Sequence, residues 1–355
     1  MMATGSVGVL AGMLCLLLWP ACTIAQQTEW EYYLRAGEAA YQQGDYAEAV
    51  RQTEAALSAA EAFGPGDPRL ATTLNNLAVF YATQGRYAEA ETLYKRALAI
   101  REQVLGPQHP SVAQSLNNLA LIYRTQGRYA EAEPLYVRAL AIYENTFGTD
   151  HPEVAASVNN LGVFYYAQNR YADAEALYMR ALAIREKALG PEHPDVAQSL
   201  NNLAVLYQDQ GRYADAEPLY ERVVAIDERT LGPEHPDRAT GLDNLAGLYA
   251  EQGRYAEAEP LRKRALAIRE KGLGPEHPGV AISLNNLAEL YHDQGRYADA
   301  EPLYKRALAI FEKTLGPEHP NVATTLENYA AMLMKTGRTF EAANLEAQAK
   351  AIRAK

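Results

Sequence analysis

The sequence is poor in cysteine and has a deficit of positive charge, and both shortages exclude classes of function. Its two cysteines, Cys15 and Cys22, lie near the N-terminus, so the rest of the chain has no thiol for a disulfide, a thiolate nucleophile or a cysteine-ligated metal. Lys and Arg number 33 against 44 Asp and Glu, which leaves a net charge of -11. This sign is wrong for neutralising phosphates, so nucleic acid is not an expected partner.

Motifs of catalysis and of cofactor binding are also missing. The chain contains no glycine-rich phosphate loop and no nucleophile elbow. No set of Ser, His and Asp stands out from the repeated background described below. We therefore expect no enzymatic activity, no catalytic residue and no cofactor.

Six of the seven histidines recur once per linker at a spacing of 42 residues. This spacing distributes them along a repeat array, so they cannot converge on one metal, and we interpret them as linker caps. The seventh, His292, lies beside Asp293 and one turn from Glu289, where a weak metal site is the alternative to a solvated polar face. We predict no metal site. The linker histidines are His109, His151, His193, His235, His277 and His319.

The N-terminus carries an uncharged apolar run over residues 7–19. The run is short for a span of about 30 Å of hydrocarbon but matches the apolar core of a signal peptide. Thr23-Ile24-Ala25 places small residues where a signal peptidase reads, so we predict a signal peptide over residues 1–25, although no Lys or Arg precedes Arg35.

Two alternatives for this segment stay open. Cys22 is a candidate for lipidation, although Trp19-Pro20-Ala21 is a poor version of the preceding motif, and the segment is also a candidate for an uncleaved anchor. Export is expected in every case, to the periplasm or the outside of the cell. Membrane association is expected only if Cys22 is lipidated or the N-terminus is retained.

The rest of the chain is one unit repeated every 42 residues. A fixed period of this kind is typical of a solenoid. Within a unit, apolar residues such as Leu74, Leu77, Ala78 and Tyr81 fall at helical spacing, and a second set follows, which predicts two amphipathic helices. The pair Asn75-Asn76 recurs as Asn117-Asn118, Asn159-Asn160, Asn201-Asn202, Asp243-Asn244, Asn285-Asn286 and Glu327-Asn328.

Glycine and proline mark the ends of these helices. Gly85 is predicted to end the first helix in a left-handed conformation, which Asn169 also tolerates in its own unit. The second helix is predicted to end at Leu105-Gly106-Pro107, and Pro110 suits the first turn of the next helix. The other glycines at the position of Gly85 are Gly127, Gly211, Gly253, Gly295 and Gly337.

These motifs resemble the tetratricopeptide repeat family, specifically the 42-residue type of kinesin light chains. The resemblance rests on Asn-Asn-Leu-Ala, Gln-Gly-Arg-Tyr-Ala-Glu-Ala-Glu and Leu-Gly-Pro-Glu-His-Pro, and it covers about residues 69–353, after a diverged first pair over about residues 29–63. It implies an all-α right-handed solenoid of about eight antiparallel helix pairs, which we place in one domain over residues 26–355. Microtubule transport is not expected, because the long N-terminal heptad region of a light chain is missing.

The concave groove of such a solenoid is the expected binding surface. At about 100° per residue, Asn75, Val79 and Ala82 face away from the partner helix. The second Asn of the pair is the same in all seven units, which suggests a structural role, whereas the first varies and could offer its amide to a peptide backbone. Groove asparagines contact cargo peptides in the kinesin light-chain family, and the resemblance carries that role onto five residues. They are Asn75, Asn117, Asn159, Asn201 and Asn285.

Charge along the groove suggests what the ligand carries. From Val79 to Tyr166 the groove positions are neutral to slightly basic and partly apolar, with Arg124 among them. Later positions, which include Asp209 and Glu251, are acidic, and Lys335 is the last groove residue. We predict a ligand with an apolar part near the early positions and Lys or Arg near the acidic ones. The alternative is that the carboxylates only keep the surface soluble. The acidic candidates for peptide binding are Asp243, Glu289 and Asp293, and the acidic stretch extends to Glu327.

The sequence therefore predicts an exported, noncatalytic scaffold that holds an extended peptide or a partner helix in its groove. One alternative is an envelope assembly factor tethered by lipid at Cys22. The other is a docking or regulatory subunit of an enzyme complex.

Overall fold

The computed structural model describes the backbone of residues 10–354 and the side chains of residues 26–354. Within this range the chain forms sixteen α-helices joined by short linkers, and it contains no strand. The helices follow one another in pairs, which confirms the predicted all-α architecture of about eight helix pairs.

The chain divides into two compact units, Met1–Leu177 and Tyr178–Lys355. The helices of unit 1 are α1 Leu10–Gln42, α2 Tyr46–Glu61, α3 Pro68–Thr83, α4 Tyr87–Leu105, α5 Pro110–Thr125, α6 Tyr129–Phe147, α7 Pro152–Tyr166 and the start of α8 Tyr171–Leu189. Unit 2 contains the rest of α8 and then α9 Pro194–Asp209, α10 Tyr213–Thr230, α11 Asp237–Glu251, α12 Tyr255–Leu273, α13 Pro278–Asp293, α14 Tyr297–Leu315, α15 Pro320–Lys335 and α16 Thr339–Arg353.

The turn inside each pair depends on a residue with positive φ. Gly85 has a φ of 75°, and Asn169 takes a φ of 59° at the same repeat position. This left-handed conformation lets the backbone N–H of Arg86 bond to the carbonyl of Tyr81 at 2.9 Å, which closes the end of α3. The predicted left-handed caps are confirmed.

The linker histidines cap the helices that follow them. His109 Nδ1 accepts a hydrogen bond from the backbone N–H of Ser111 at 3.1 Å, and His319 Nδ1 accepts one from Asn321 at 3.1 Å. This satisfies a donor that the first turn of a helix leaves without a partner. The predicted capping role is confirmed at five positions, since His151, His193 and His277 make the same contact. At α11 the N-cap residue is Pro236, and His235 Nδ1 accepts a bond of 3.3 Å from Asp237, the first residue of the helix.

The core of unit 1 lies between the two helices of each pair and between successive pairs. Leu74, Leu77, Ala78 and Tyr81 are buried, as their spacing predicts. The hydroxyl of Tyr81 donates to a carboxylate oxygen of Glu54 at 2.6 Å, so this ring packs in the core while its polar end reaches the surface.

The core of unit 2 is built in the same way. Tyr220, Tyr304 and Phe311 are among its largest fully buried side chains. In the last pair Leu333 fills the position that holds a tyrosine in the earlier repeats, and it is also buried. The last helix, α16, ends at Arg353, where the sequence predicts the array to end.

Neighbouring repeats are also joined by a clamp that the sequence interpretation missed. In unit 1 the guanidinium of Arg128 lies 4.1 Å above the ring of Tyr123 and 2.6 Å from a carboxylate oxygen of Glu91, in the preceding repeat. Glu89 lies in the first turn of α4, where a negative charge interacts favourably with the helix dipole. Glu91 instead bridges two repeats. In unit 2 the same clamp joins Arg254 to Glu217 and Tyr249, and Arg296 to Glu259 and Tyr291.

The predicted signal peptide lies largely outside this description. Residues 1–9 and the side chains of residues 10–25, including Cys22, are not among the described parts of the chain. No helix in the described part combines the length and apolar character needed to cross a membrane. Cleavage, lipidation and retention of the N-terminus all stay predictions.

Candidate peptide-binding surface

The first helices of consecutive repeats contact one another, as α5 does with α7 in unit 1 and α11 with α13 in unit 2. We call the residues at the repeat positions of Asn75, Val79, Ala82 and Thr83 the first-helix face of each unit. This face contains every residue for which the sequence predicts peptide binding.

The paired asparagines bond to each other across repeats. Asn118 Nδ2 donates to Asn75 Oδ1 at 2.9 Å, and Asn244 Nδ2 donates to Asn201 Oδ1 at 2.7 Å. The second Asn of one repeat therefore holds the first Asn of the preceding repeat. Asn285 accepts from Asn328 in the same way, at 3.4 Å.

This geometry corrects the division of roles that the sequence suggested. The second Asn is structural, as expected, but its partner is a side chain, and the first Asn belongs to the same bond. Asn75 and Asn159 are 7% and 6% exposed, so neither presents a free amide to a groove. Asn117, Asn201 and Asn285 are half-buried. The oxygen of Asn117 is buried and accepts no hydrogen bond from the described residues.

Asp243 is the clearest departure from the expected groove carboxylate. It is 5% exposed, and its two oxygens contact Arg262 at 3.1 Å and Arg269 at 2.5 Å. Arg262 stands where the other complete repeats of unit 2 carry Tyr220 and Tyr304. The exchange of Tyr for Arg thus accompanies the exchange of Asn for Asp, and a comparison of repeats could have found this pair in the sequence.

The guanidinium of Arg262 packs against α11 beside Gly247. A Cβ at Gly247 would lie in ordinary van der Waals contact with Arg262 Nη2, at 3.5 Å, so the guanidinium packs closely along α11. The negative charge of Asp243 is therefore paired with two arginines. Buried charges are tolerated when they are paired in this way. Asp243 stabilises a repeat junction and is unavailable to attract a ligand.

In unit 1 the first-helix face is partly apolar. Leu121 is 43% exposed, and Val79 and Val163, at the same repeat position, are half-buried. Arg124 and Tyr166 are also half-buried, and the ring of Tyr166 lies 5.9 Å from that of Tyr171. The face of unit 1 thus offers aliphatic and aromatic surface with one cation.

In unit 2 the same face is acidic. Asp209, Glu251 and Asp293 occupy one position in three consecutive repeats and are exposed, as is Glu289 one turn before Asp293. Gln208 Nε2 donates to Glu251 Oε1 at 2.7 Å, which links two neighbouring first helices across the face. The corresponding position in unit 1 carries Thr83, Thr125 and Ala167.

Glu289 is a member of this acidic group whose pKa is shifted by its surroundings. Its side chain touches solvent, but protein atoms around the carboxylate displace hydration and raise its pKa, and Asp293 raises it further. Arg262 and His292 act in the opposite direction without cancelling the rise. The rise is therefore due chiefly to the loss of hydration, because the attraction of Arg262 offsets the repulsion from Asp293.

Two other residues that the sequence singled out, Glu327 and His292, do not form a binding site of the kind considered for them. Glu327, the predicted end of the acidic stretch, forms an ion pair with Arg353 at 2.6 Å, and this partner lowers its pKa. His292 Nδ1 lies 4.0 Å from Asp293 Oδ1. In the part of the chain with described side chains, no group of three His, Cys, Asp or Glu residues is placed to hold a metal ion.

Comparisons with known proteins agree with the repeat geometry. A tetratricopeptide repeat profile matches six overlapping stretches from residues 69–145 to residues 279–355, and a second profile of the same description matches residues 30–55. The chain belongs to the tetratricopeptide repeat family. Among curated proteins, none matched this chain.

Solved structures place this tetratricopeptide repeat protein near the kinesin light-chain type. It is similar to the kinesin light chain-like repeats of a Podosopora anserina protein, with 35% identity, a TM-score of 0.51, and coverage of 58% of this chain and 97% of that one. It is also similar to BtubC from P. vanneervenii, with 26% identity, a TM-score of 0.50, and coverage of 70% and 92%.

A third comparison extends over nearly the whole chain. A Rap protein complexed with competence and sporulation factor shares 15% identity at a TM-score of 0.58, with 93% of this chain and 97% of that one covered. At this identity the likeness shows the fold alone.

Proposed function

We propose that this protein is a noncatalytic scaffold that binds a basic peptide segment on the first-helix face of unit 2. The observation that carries the proposal is the row of Asp209, Glu251 and Asp293 on consecutive first helices, with Glu289 beside them. Carboxylates at one repeat position add their fields, which raises the association rate of a basic partner and contributes to specificity.

Membership of the tetratricopeptide repeat family supports a role in protein interaction, because stacked repeats create extended binding surfaces. Among the fold neighbours, a Rap conjugation regulator was solved in complex with the Phr* peptide. The partly apolar first-helix face of unit 1, with exposed Leu121, is the corresponding candidate for apolar side chains of a ligand.

The proposal is tested by selecting a displayed random-peptide library on the full chain and measuring the affinity of enriched peptides against ionic strength. We expect enriched peptides to carry Lys or Arg. The triple variant Glu251→Gln, Glu289→Gln, Asp293→Asn should weaken binding at low salt and flatten the salt dependence, because three screened attractions are removed.

A charge-matched control is available in the linkers. The variant Glu192→Gln, Glu276→Gln, Glu318→Gln changes the net charge by the same amount at exposed positions away from this face. Its affinity and salt dependence should stay close to those of the unchanged protein. Equal effects of the two triple variants would show that net charge, rather than this face, attracts the peptide.

We further propose that the protein is exported. The apolar run over residues 7–19 and Thr23-Ile24-Ala25 support cleavage after Ala25. Intact-mass analysis of the protein from its native host should find a chain that begins at Gln26. A chain that begins at a lipid-modified Cys22 would support the tethered alternative, and a full-length chain in the cytosol would contradict export.

A further inference from the structure

One repeat junction of unit 2 differs from its neighbours in a buried residue. Near the end of the second helix, most repeats carry a large side chain at one position, whereas α10 carries Asp227. The following first helix carries Gly241 where its counterparts carry Ser or Thr. The residues at the first position are Arg101, Tyr143, Arg185, Asp227, Arg269, Phe311 and Arg353, and those at the second are Ser115, Ser157, Ser199, Gly241, Ser283 and Thr325.

The smaller side chains leave a cavity of about 390 Å³ between α9, α10 and α11. Val223 and Leu231 provide apolar lining, and Gln198, Asn201 and Thr240 contribute polar groups. Asp195 and Asp237 complete an acidic lining around Asp227. The volume is that of a small-ligand pocket.

Asp227 is buried in this cavity without a partner. The residue is 8% exposed. Among the described residues, Asp237, Arg238 and His235 influence its carboxylate through their charges, and none is hydrogen-bonded to it. A Cβ at Gly241 would lie 3.1 Å from Asp227 Oδ2, so the glycine accommodates the carboxylate. Burying an unpaired carboxylate is costly, and a bound cation would offset that cost.

The nearest charged groups leave this carboxylate uncompensated. Arg238 Nη1 donates to the carbonyl of Gly232 at 3.4 Å, and its Nη2 lies 4.0 Å from Glu228. His235 Nδ1 accepts a hydrogen bond from the backbone N–H of Asp237 at 3.3 Å. Burial and Asp237 raise the pKa of Asp227 to about 6, against the opposing influence of Arg238 and His235.

Sister junctions show which group fits this space. Arg185 Nη1 donates to the carbonyl of Asp195 and to Ser199 Oγ, both at 2.8 Å. Arg101 Nη1 makes the same two contacts with Ser111 and Ser115, at 2.9 and 2.8 Å. At the cavity the equivalent carbonyl belongs to Asp237, and the chain supplies a carboxylate in place of the arginine.

We propose that the cavity between α9, α10 and α11 binds a guanidinium group supplied by a ligand, with Asp227 as its counter-ion and the carbonyl of Asp237 as a second acceptor. A carboxylate binds the planar guanidinium fork through parallel hydrogen bonds, which distinguishes it from a compact ammonium group. The guanidinium comes either from an arginine side chain of a polypeptide or from a small guanidinium compound. The site does not depend on peptide binding at the first-helix face, and the two proposals fail separately.

Calorimetric titration of the full chain with N-acetyl-arginine-N-methylamide tests the site. We expect binding at neutral pH, at least tenfold weaker binding of the lysine analogue, and none of the citrulline analogue, which has the arginine shape without the charge. Asp227→Asn should weaken binding at least tenfold. The double variant Asp227→Arg, Gly241→Ser restores the sister junction and should abolish binding by filling the cavity.

A surface variant controls for general charge effects, and a set of guanidinium probes distinguishes the two possible sources of the ligand. Asp215→Asn removes an exposed carboxylate of α10 and should leave the affinity unchanged. Comparable affinity for methylguanidinium and the blocked arginine supports a small guanidinium ligand, whereas at least tenfold tighter binding of a Gly-Arg-Gly peptide supports a polypeptide. Equal binding of the arginine and citrulline analogues, no binding of either, or unchanged affinity in Asp227→Asn would overturn the proposal.

Discussion

The α8–α9 junction and the α10–α11 junction of unit 2 come from the same repeat and differ in what lies at their centres. In the first, Arg185 is buried and bonded to α9, and Gly190 turns the linker with a φ of 89°. In the second, Asp227 faces a cavity, and Gly232 lacks the positive φ of the other linker glycines. The helix α11 also begins one residue late, at Asp237.

This comparison shows that the buried polar contact of a junction can change while the apolar contacts around it are kept. Ile226 and Leu242 remain buried beside Asp227, as their counterparts do elsewhere. The helix pair is therefore retained while its polar centre changes from a filled contact to a cavity. A repeat protein can acquire a site in this way without altering its fold.

The largest expected effect comes from removing an arginine at a third junction. Arg269 pairs with Asp243 in the buried cluster, so Arg269→Met should cost about 3 to 5 kcal/mol by leaving a buried carboxylate with a poorer partner. Arg185→Met removes bonds to neutral acceptors alone and should cost about 1 to 3 kcal/mol. Chemical denaturation of both variants checks the order, and a larger loss for Arg185→Met would contradict it.

Asp227→Asn should stabilise the protein at neutral pH by about 3 kcal/mol, the value of a pKa displacement of roughly two units. Because folding raises the pKa of Asp227 from 3.8 to about 6, its favourable contribution is complete below about pH 4 and is lost as the pH rises through 6. The gain from Asp227→Asn should therefore be large at pH 7.5 and small at pH 4.

Denaturation of both proteins between these pH values measures this gain. Asp237, Arg238 and His235 also influence the group, so Asp237→Asn should move the midpoint of the transition to lower pH. A stability difference that does not change with pH would show that Asp227 does not titrate in this range.

The histidines at the two junctions should differ in their contribution to stability, by less than the effects described above. His193 Nδ1 accepts from Asp195 at 3.1 Å at the start of α9, and His235 Nδ1 accepts from Asp237 at 3.3 Å where α11 begins late. We expect His193→Ala to cost about 1 kcal/mol and His235→Ala to cost less. Thermal melts of the two variants test this order, and equal losses would mean that the altered linker leaves the cap intact.

The smallest expected effect is the pH dependence of a single cap. Burial lowers the pKa of His319, and its Nδ1 can accept from Asn321 when the ring is neutral. Its contribution is therefore complete above about pH 6.5 and is lost as the pH falls, which is the reverse of Asp227. His319→Asn keeps an acceptor that does not titrate, so its stability relative to the unchanged protein should rise between pH 7 and pH 5, by less than about 1 kcal/mol.

The local signals of the sequence predicted the helices and their ends well. Gly85, Asn169 and Pro110 act through the backbone at their own positions, and the linker histidines reach two residues along the chain. Such effects need no knowledge of distant neighbours, which is why the turns and caps could be read from residue types alone.

The candidate site was predicted less completely. Helical periodicity placed Asn75 away from its partner helix but could not show that the next first helix covers it, since Asn118 lies 43 residues further on. Charge counting placed Asp243 in an acidic groove, whereas Arg269, 26 residues away, neutralises it in the core. Glu289 and Asp293 remain exposed, as the periodicity of α13 predicts.

The sequence by itself determined the helix pairs, the 42-residue period and the residues that end each helix, because these follow from backbone preferences and from the spacing of apolar residues. The tertiary structure alone decided which polar side chains are available. Asn75 and Asp227 depend on residues of the next repeat, Asn118 and Gly241, whereas Asp243 depends on two arginines of the helix paired with its own. Asn75 and Asn118 form a hydrogen bond across their junction. Asp227 lies opposite Gly241, which offers it no side-chain partner, and its carboxylate faces a cavity.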